Sequence, residues 1–285
     1  MSTVRIVTDS TADIPQDMRE KLNIEIVPLK VLFGEESFLD GVTISPEQFY
    51  DKLTSSSMLP TTSQPSPVEF METYDRILNE SPDATIISIH LSSAVSGTYQ
   101  SAVLGHSLLE REGDIVVYDS KSASFGIGML VVKAAEMAAA GMSKEQILDA
   151  IETMNQDKRL YFLVDTLEYL QKGGRIGKAA ALFGSILNIK PILTLDDGEV
   201  TAIDKVRGQK KAVLRILDLV AKDFGSDPVD MTLAWTTHNE LALEMGEQAK
   251  ARLQVRGTHH TKIGSVIGTH VGPGTVAIFI NRVKG

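Results

Sequence analysis

The chain has 285 residues, of which 43% are hydrophobic and 23% charged, with a formal charge of −9 and no cysteine. That length suits two domains of ~100–200 residues each, and the composition supports packed cores rather than disorder. The acidic balance, with no basic run longer than Lys210-Lys211, excludes a nucleic-acid face held by counterion release. The missing cysteines exclude disulfides, a thiolate nucleophile and a cysteine-ligated metal. The sequence starts almost at once with the strand-like Val4-Arg5-Ile6-Val7, without the marks of a signal peptide. With no run of ~18 apolar residues, the expectation is a cytoplasmic protein without a membrane segment.

In the first half, Val/Ile-rich runs alternate with helix-period segments, which predicts βαβ units around a parallel sheet. Three strand-to-helix junctions are rich in hydroxyls. The first strand runs into Thr8-Asp9-Ser10-Thr11-Ala12-Asp13. The strand Thr85–Ile89 runs into Leu91-Ser92-Ser93-Ala94-Val95-Ser96-Gly97 and a helix with Tyr99, Ala102, Val103 and His106 on one face. The strand Ile115–Tyr118 runs into Asp119-Ser120-Lys121-Ser122 and a helix through Ala140, closed by Gly141. In a parallel sheet these turns share the carboxyl edge, where open α/β sheets bind ligands. Helix N-termini there offer free N–H groups to an anion, although Ser, Thr and Asp also serve as ordinary N-caps. Between the first two junctions, Pro60-Thr61-Thr62-Ser63-Gln64-Pro65-Ser66-Pro67 predicts a stiff, proline-bracketed loop of hydroxyl and amide side chains.

A new pattern begins at Arg159. Leu160–Val164 predicts a strand, and Thr166–Lys172 a short helix capped by Gly173-Gly174. Pro191–Leu195, Asp196-Asp197-Gly198 and Glu199–Val206 predict a β-hairpin, with Val200, Ala202 and Ile203 as candidates for its covered face. Val213, Leu217, Val220 and Phe224 place one face of a helix over Gln209–Phe224 on a sheet. Strands are predicted at Met231–Trp235, Ile263–Ile267 and Thr275–Ile280. The expected fold is therefore α/β: a parallel-sheet domain over residues 1–158 and a mixed or antiparallel one with helices over 159–285.

No phosphate loop or dinucleotide fingerprint follows a strand, and no Gly-x-Ser-x-Gly elbow is present. His259-His260 are adjacent on an extended segment, so they point to opposite faces and make a poor chelating pair. His106 reads as a core residue, His238 as a cap or site residue, and His90 as a strand terminus. Thr269-His270-Val271-Gly272-Pro273-Gly274 sets a histidine before a turn that lets backbone approach a ligand closely. Arg175, inside Gly173-Gly174-Arg175-Ile176-Gly177, is framed so that it can reach an anion.

Taken together, Thr8–Asp13, Thr62-Ser63-Gln64-Pro65-Ser66, Leu91-Ser92-Ser93 with Ser96-Gly97-Thr98-Tyr99, Asp119-Ser120-Lys121, Leu167-Glu168-Tyr169-Leu170 with Gly173–Ile176, Lys205-Val206-Arg207-Gly208, and His270 with Gly272-Pro273-Gly274 resemble the DegV family of bacterial fatty-acid-binding proteins from end to end. The resemblance implies two α/β domains with a long-chain, palmitate-like fatty acid as ligand, its tail in an apolar tunnel and its carboxylate at the domain junction. It implies carboxylate contacts from Thr62 with its neighbour Ser63, from Ser93 and from His270, and no cofactor. It implies a partner too, a fatty acid kinase that turns the presented acid into an acyl phosphate for phospholipid synthesis. Ala94-Val95 stands where the family often has Gly-Leu, which puts a Cβ beside the carboxylate loop. Arg175 and Arg207 are the arginines whose surroundings suit phosphate stabilisation or kinase docking, the alternative being that both are solvated surface residues.

Hydroxyls, helix N-terminal amides and one titratable histidine bind an anion without a metal. The stretch Ala179–Ile189, small residues first and bulky ones after, is expected to form either part of the tunnel wall or an ordinary buried helix. The alternatives are a small-molecule hydrolase or transferase using the Asp9, Ser93 and Asp119 edge, and an interaction module without a ligand.

Overall fold

The computed structural model describes residues 3–184 and 189–283. In the first half β1 (Val4–Asp9), α1 (Gln16–Lys21), β2 (Glu25–Val27), β3 (Lys30–Phe33), β4 (Glu36–Leu39), α2 (Pro46–Ser55), β5 (Thr61–Ser63), α3 (Pro67–Glu80), β6 (Thr85–His90), α4 (Thr98–Ser107), β7 (Asp114–Asp119), α5 (Phe125–Ala139) and α6 (Lys144–Asp157) follow one another. Four of these strands form a parallel sheet in the order β2-β1-β6-β7. All six residues of β6 are buried, as a central strand covered on both faces requires. A small antiparallel sheet, β4-β3-β5, sits beside it.

The second half contains β8 (Arg159–Leu163), α7 (Glu168–Lys172), β9 (Ile189–Asp196), β10 (Glu199–Arg207), α8 (Gln209–Phe224), β11 (Pro228–Trp235), α9 (Glu240–Lys250), β12 (Gln254–Lys262), α10 (Ser265–Val271) and β13 (Val276–Arg282). Its strands form one mixed sheet, β10-β9-β8-β13-β11-β12, in which, among the described residues, only β11 and β12 pair in parallel. The mixed α/β architecture in two halves is the expected one. Val213, Leu217, Val220 and Phe224 of α8 are all buried, with α9 beside them over the same core; each such side chain is worth ~1.5–3 kcal/mol of burial.

Local chemistry explains where the helices begin. Ser45 with Gln48, Ser66 with Glu69 and Ser143 with Gln146 form complete capping boxes. Ten residues of α5 are buried, because this helix packs on β1 and β6 while Phe125 meets Phe279 of β13 edge-on at 6.4 Å. A helix covered on both sides loses the polar face that a surface helix keeps. Residues from both halves thereby share one core, including Ile6, Ile87, Leu130, Leu160, Phe162 and Phe279.

Three expectations change. The strand predicted over Ile263–Ile267 does not form: β12 is the polar run Gln254–Lys262, and residues 265–271 are helical. β12 is an edge strand of the mixed sheet and mostly not buried, so it carries no hydrophobic signal. Ile263, Val266, Ile267 and Val271 meanwhile fit helical spacing. On α4 the buried face is Thr98, Ser101, Ala102 and Gly105, one step round from the predicted one, because Gly105 packs under Phe70 of α3, where a Cβ would come within 2.6 Å. Part of the predicted proline-bracketed loop is strand β5, paired with β3 through Val31 and Thr62.

Candidate functional site

The three hydroxyl-rich junctions do meet at the carboxyl edge of the parallel sheet, and there they hold one another. Asp9 caps the turn of residues 10–12 by accepting from Thr11 N–H at 3.0 Å and Thr11 Oγ1 at 2.5 Å. Its other oxygen accepts from Leu91 N–H at 3.0 Å and faces His90 Nδ1 at 3.0 Å. His90 Nε2 lies 2.7 Å from Ser88 Oγ, which lies 2.8 Å from Tyr74 OH. All five side chains, Asp9, Thr11, His90, Ser88 and Tyr74, are fully buried, as a satisfied internal network must be. His90, which reads in the sequence as a strand terminus, thus joins two strands and a helix. The Ser92 hydroxyl donates to Gly198 O at 2.9 Å, and the Ser93 hydroxyl to Asp119 Oδ2 at 2.5 Å.

A cavity of about 230 Å³ opens between the loops at this edge and the mixed sheet. Most of its wall is apolar. Leu160, Phe162, Leu195, Val200, Ala277 and Phe279 face it from the mixed sheet, and Leu29, Leu91, Val266 and Ile267 from elsewhere. At one end polar groups gather from four segments: Thr62, Ser63 and Gln64 of β5 and its continuation, Ser96 of the β6–α4 loop, Arg175 after α7, and His270 of α10. Their contacts place them together. Thr62 Oγ1 lies 2.9 Å from His270 Nε2. Arg175 donates from Nε to Val95 O at 3.1 Å and from Nη1 to Gly173 O at 2.8 Å. Ser96 Oγ lies 2.9 Å from Thr98 Oγ1.

His270 is the titratable group at this end. Burial, with the Arg175 charge adding to it, pushes its pKa down to about 4, so the ring is neutral at pH 7. Its Nδ1 is buried without a hydrogen-bond partner among the described residues and rests against Gly173, where a Cβ would stand 2.4 Å from it. The tautomer decides what Thr62 can do. If Nε2 carries the proton it donates to Thr62 Oγ1, leaving the threonine hydrogen free to be given away. Any anionic acceptor at this hydroxyl would favour that arrangement, since a bond to a charged acceptor is worth ~1.5–3 kcal/mol. α10 ends at Gly272, whose φ of 76° and contact with the Tyr169 ring leave no room for a side chain.

Thr62, Ser63, His270 and Arg175 stand together at one end of one cavity. Ser93 and Ala94 do not line it: the Ser93 hydroxyl is committed to Asp119, the Ala94 amide donates to Ser92 Oγ at 3.2 Å, and Val95 and Ser96 face the cavity instead. Arg207 also departs from expectation. It is the exposed last residue of β10, away from the cavity lining, because the long hairpin carries it to the far end of the sheet. Within the predicted tunnel wall Ala179–Ile189, Ala179 is fully buried and Phe183 about half exposed. No described residue of that stretch lines the cavity, and Ser185, Ile186, Leu187 and Asn188 lie outside the described residues. Gln64, Ser96 and Ser124 belong to the lining and were not singled out; only Gln64 and Ser96, within the quoted hydroxyl-rich loops, carried a signal. Among the described residues no His, Asp and Glu cluster suits a metal, and no helix is long and apolar enough to cross a membrane.

Two larger sheets with flanking helices, and a mostly apolar cavity with a cluster of hydrogen-bonding groups at one end, define an α/β protein with a small-molecule-sized pocket. Comparison with known proteins makes the class specific. The family model described as uncharacterised protein, DegV family, matches residues 3–283, and the chain belongs to the DegV family. It is 41% identical to a DegV domain-containing protein of Caldanaerobacter subterraneus, over 99% of this chain and all of that one. It is 38% identical to the protein DegV of Bacillus subtilis, over 96% of this chain and 98% of that one. Among solved structures, a DegV family protein from Thermus thermophilus, described by its fatty acid binding, superimposes with a TM-score of 0.92 at 36% identity, covering 99% of this chain and all of that one. The fatty acid binding protein DegV of Bacillus subtilis does so at 0.89 and 35% identity, with the same coverage. A stearic acid-binding protein from Eubacterium ventriosum gives 0.89 at 27% identity, covering 99% of this chain and 98% of that one.

Proposed function

We propose that this protein holds one long-chain fatty acid, carboxylate on Thr62 and His270 and tail along the apolar cavity, and presents the acid in the cytoplasm to a fatty acid kinase that makes the acyl phosphate. The observation that carries the reading is the Thr62–His270 pair at the polar end of a mostly apolar cavity. A buried carboxylate without donors would be costly; here a hydroxyl, a neutral imidazole and the Arg175 guanidinium are available to it, so no metal or cofactor is called for. Residues 1–158 and 159–285 act as two units in this reading, the first supplying Thr62 and Ser63 and the second His270, Arg175 and most of the tail contacts. Arg175 and Ser63 are exposed, so a kinase has access to the head group, and an arginine fork suits the phosphoryl group it adds.

Mass spectrometry of an organic extract of the purified protein tests the binding step, with one long-chain acid per chain as the expected result. A protein that comes out empty and takes up no palmitate in titration refutes it. For the kinase step, Arg175→Ala is expected to lower acyl phosphate formation more than palmitate binding. Equal rates for variant and wild type across a salt series would remove Arg175 from that step.

A further inference from the structure

α10 carries the head-group histidine: Val266, Ile267, His270 and Val271 of this one short helix all line the cavity. Its start is held by the other half of the chain. Gly264 makes no side-chain cap. Instead Gly264 N–H donates to Asp13 Oδ1 at 3.0 Å, and Ser265 N–H to Asp40 Oδ1 at 3.1 Å. Asp13 makes two more ties. Its Oδ2 accepts the Ser124 hydroxyl at 2.5 Å, and its backbone oxygen accepts Thr261 Oγ1 at 2.6 Å. Just before α10, Tyr50 OH donates to Ile263 O at 2.9 Å.

The backbone is adapted to this joint. Asp13 and Ser124 both sit at positive φ, 50° and 53°, a strained setting that persists only where surrounding contacts impose it. A Cβ on Gly264 would come within 2.6 Å of Asp13 Oδ1. Asp13 is 9% exposed and Asp40 3%. Burial raises the pKa of both, and so does repulsion: Asp40 and Asp9 act on Asp13, and Asp9 on Asp40. Buried carboxylates packed this closely are a poor way to stabilise a fold. Their common feature is geometric, since both end on the first amides of the helix that carries His270.

We propose that Asp13 and Asp40 are positioning residues of the carboxylate site, fixing the start of α10 and through it the place of His270 beside Thr62. The inference rests on the fatty-acid reading for its ligand but not for its geometry. His270 lies five residues beyond Ser265 on a rigid turn and a half, so a shift at the clamp reaches the ring undiminished. The 2.9 Å contact with Thr62 is lost within a few tenths of an ångström of the usual ~3.2 Å limit.

The test compares palmitate with hexadecan-1-ol, which has the same tail and no carboxylate, on the delipidated wild type, Asp13→Asn, Asp13→Ala and Gly264→Ala. Asparagine keeps an acceptor for Gly264 N–H and a partner for Ser124, so its preference for acid over alcohol should stay within about threefold of wild type. Asp13→Ala removes the clamp, and Gly264→Ala pushes a Cβ into it while leaving the carboxylate in place. Each should cut the preference roughly tenfold or more, the scale of one hydrogen bond to a charged group. In parallel, imidazole ¹⁵N shifts of His270 in the ligand-free proteins should show the Nε2 bond to Thr62 kept in the asparagine variant and lost in the other two. Acid and alcohol weakened equally, or His270 shifts unchanged in whichever of Asp13→Ala and Gly264→Ala folds, would overturn the proposal. A wild type that binds neither ligand defeats the fatty-acid reading and leaves the ¹⁵N shifts to decide the clamp.

Discussion

Replacing Thr62 by Val isolates the contact on which the proposed site turns. Valine keeps the shape of threonine and its preference for an extended strand, so β5 should continue to pair with β3 through Val31. What disappears is one hydroxyl, 2.9 Å from His270 Nε2 and facing the cavity. In the free protein the loss is one neutral hydrogen bond at a half-buried position, ~1 kcal/mol or less, so thermal stability should change little. With a bound carboxylate the missing bond is to a charged acceptor, worth ~1.5–3 kcal/mol, and palmitate affinity should fall roughly ten- to a hundredfold. An alcohol of the same length loses only a neutral bond and should weaken by roughly fivefold. Isothermal titration of both ligands against both proteins reads the difference directly. Palmitate bound by Thr62→Val within twofold of wild type would refute the assignment of the carboxylate to this end of the cavity.

His270 should make stability depend on pH in a definite window. Its folded pKa of about 4 lies below the ordinary ~6.5, so its contribution is complete above pH ~6.5. It is lost as pH falls toward 4, by at most ~1.4 kcal/mol per unit. The raised carboxyls of Asp13 and Asp40 act with the opposite sign, so the term is read as wild type minus His270→Gln in denaturant titrations from pH 7 to 4; parallel curves would contradict the burial of the ring. Bound palmitate places a negative charge near the imidazole and should raise its pKa, a shift that NMR titration detects and whose absence would separate ligand from histidine. Gly173→Ala sets a methyl 2.4 Å from His270 Nδ1 and 2.9 Å from Tyr169 O; palmitate affinity should fall at least tenfold, and an unchanged value would show that the ring can move freely. Ser93→Ala should leave palmitate binding within about threefold, because that hydroxyl serves Asp119; a loss as large as that of Thr62→Val would return Ser93 to the carboxylate site.

Much of this protein is legible in its sequence because the signals are local. Period-two and period-3.6 patterns mark most strands and the full extent of α8, Asp197-Gly198 marks the hairpin, and Ser66 two places beyond Gln64 marks the start of α3. The candidate site residues Thr62, Ser63, Arg175 and His270 are legible for the same reason, since a polar group near a proline or glycine that constrains the backbone stands out from its neighbours. Three-dimensional packing decided the rest. Whether a serine hydroxyl serves a ligand or a neighbouring turn depends on which acceptor lies within ~3 Å, and Ser93 met Asp119, 26 positions along the chain. Polar β12 formed as an edge strand because β11 supplied its hydrogen bonds, and α10 formed where a strand was expected, its first amides taken by Asp13 and Asp40. Asp9, fully buried among His90, Thr11 and Leu91, looked in the sequence like a candidate for chemistry. Burial and partner distance are properties of the folded chain alone, and these two quantities separate a working carboxylate from a structural one.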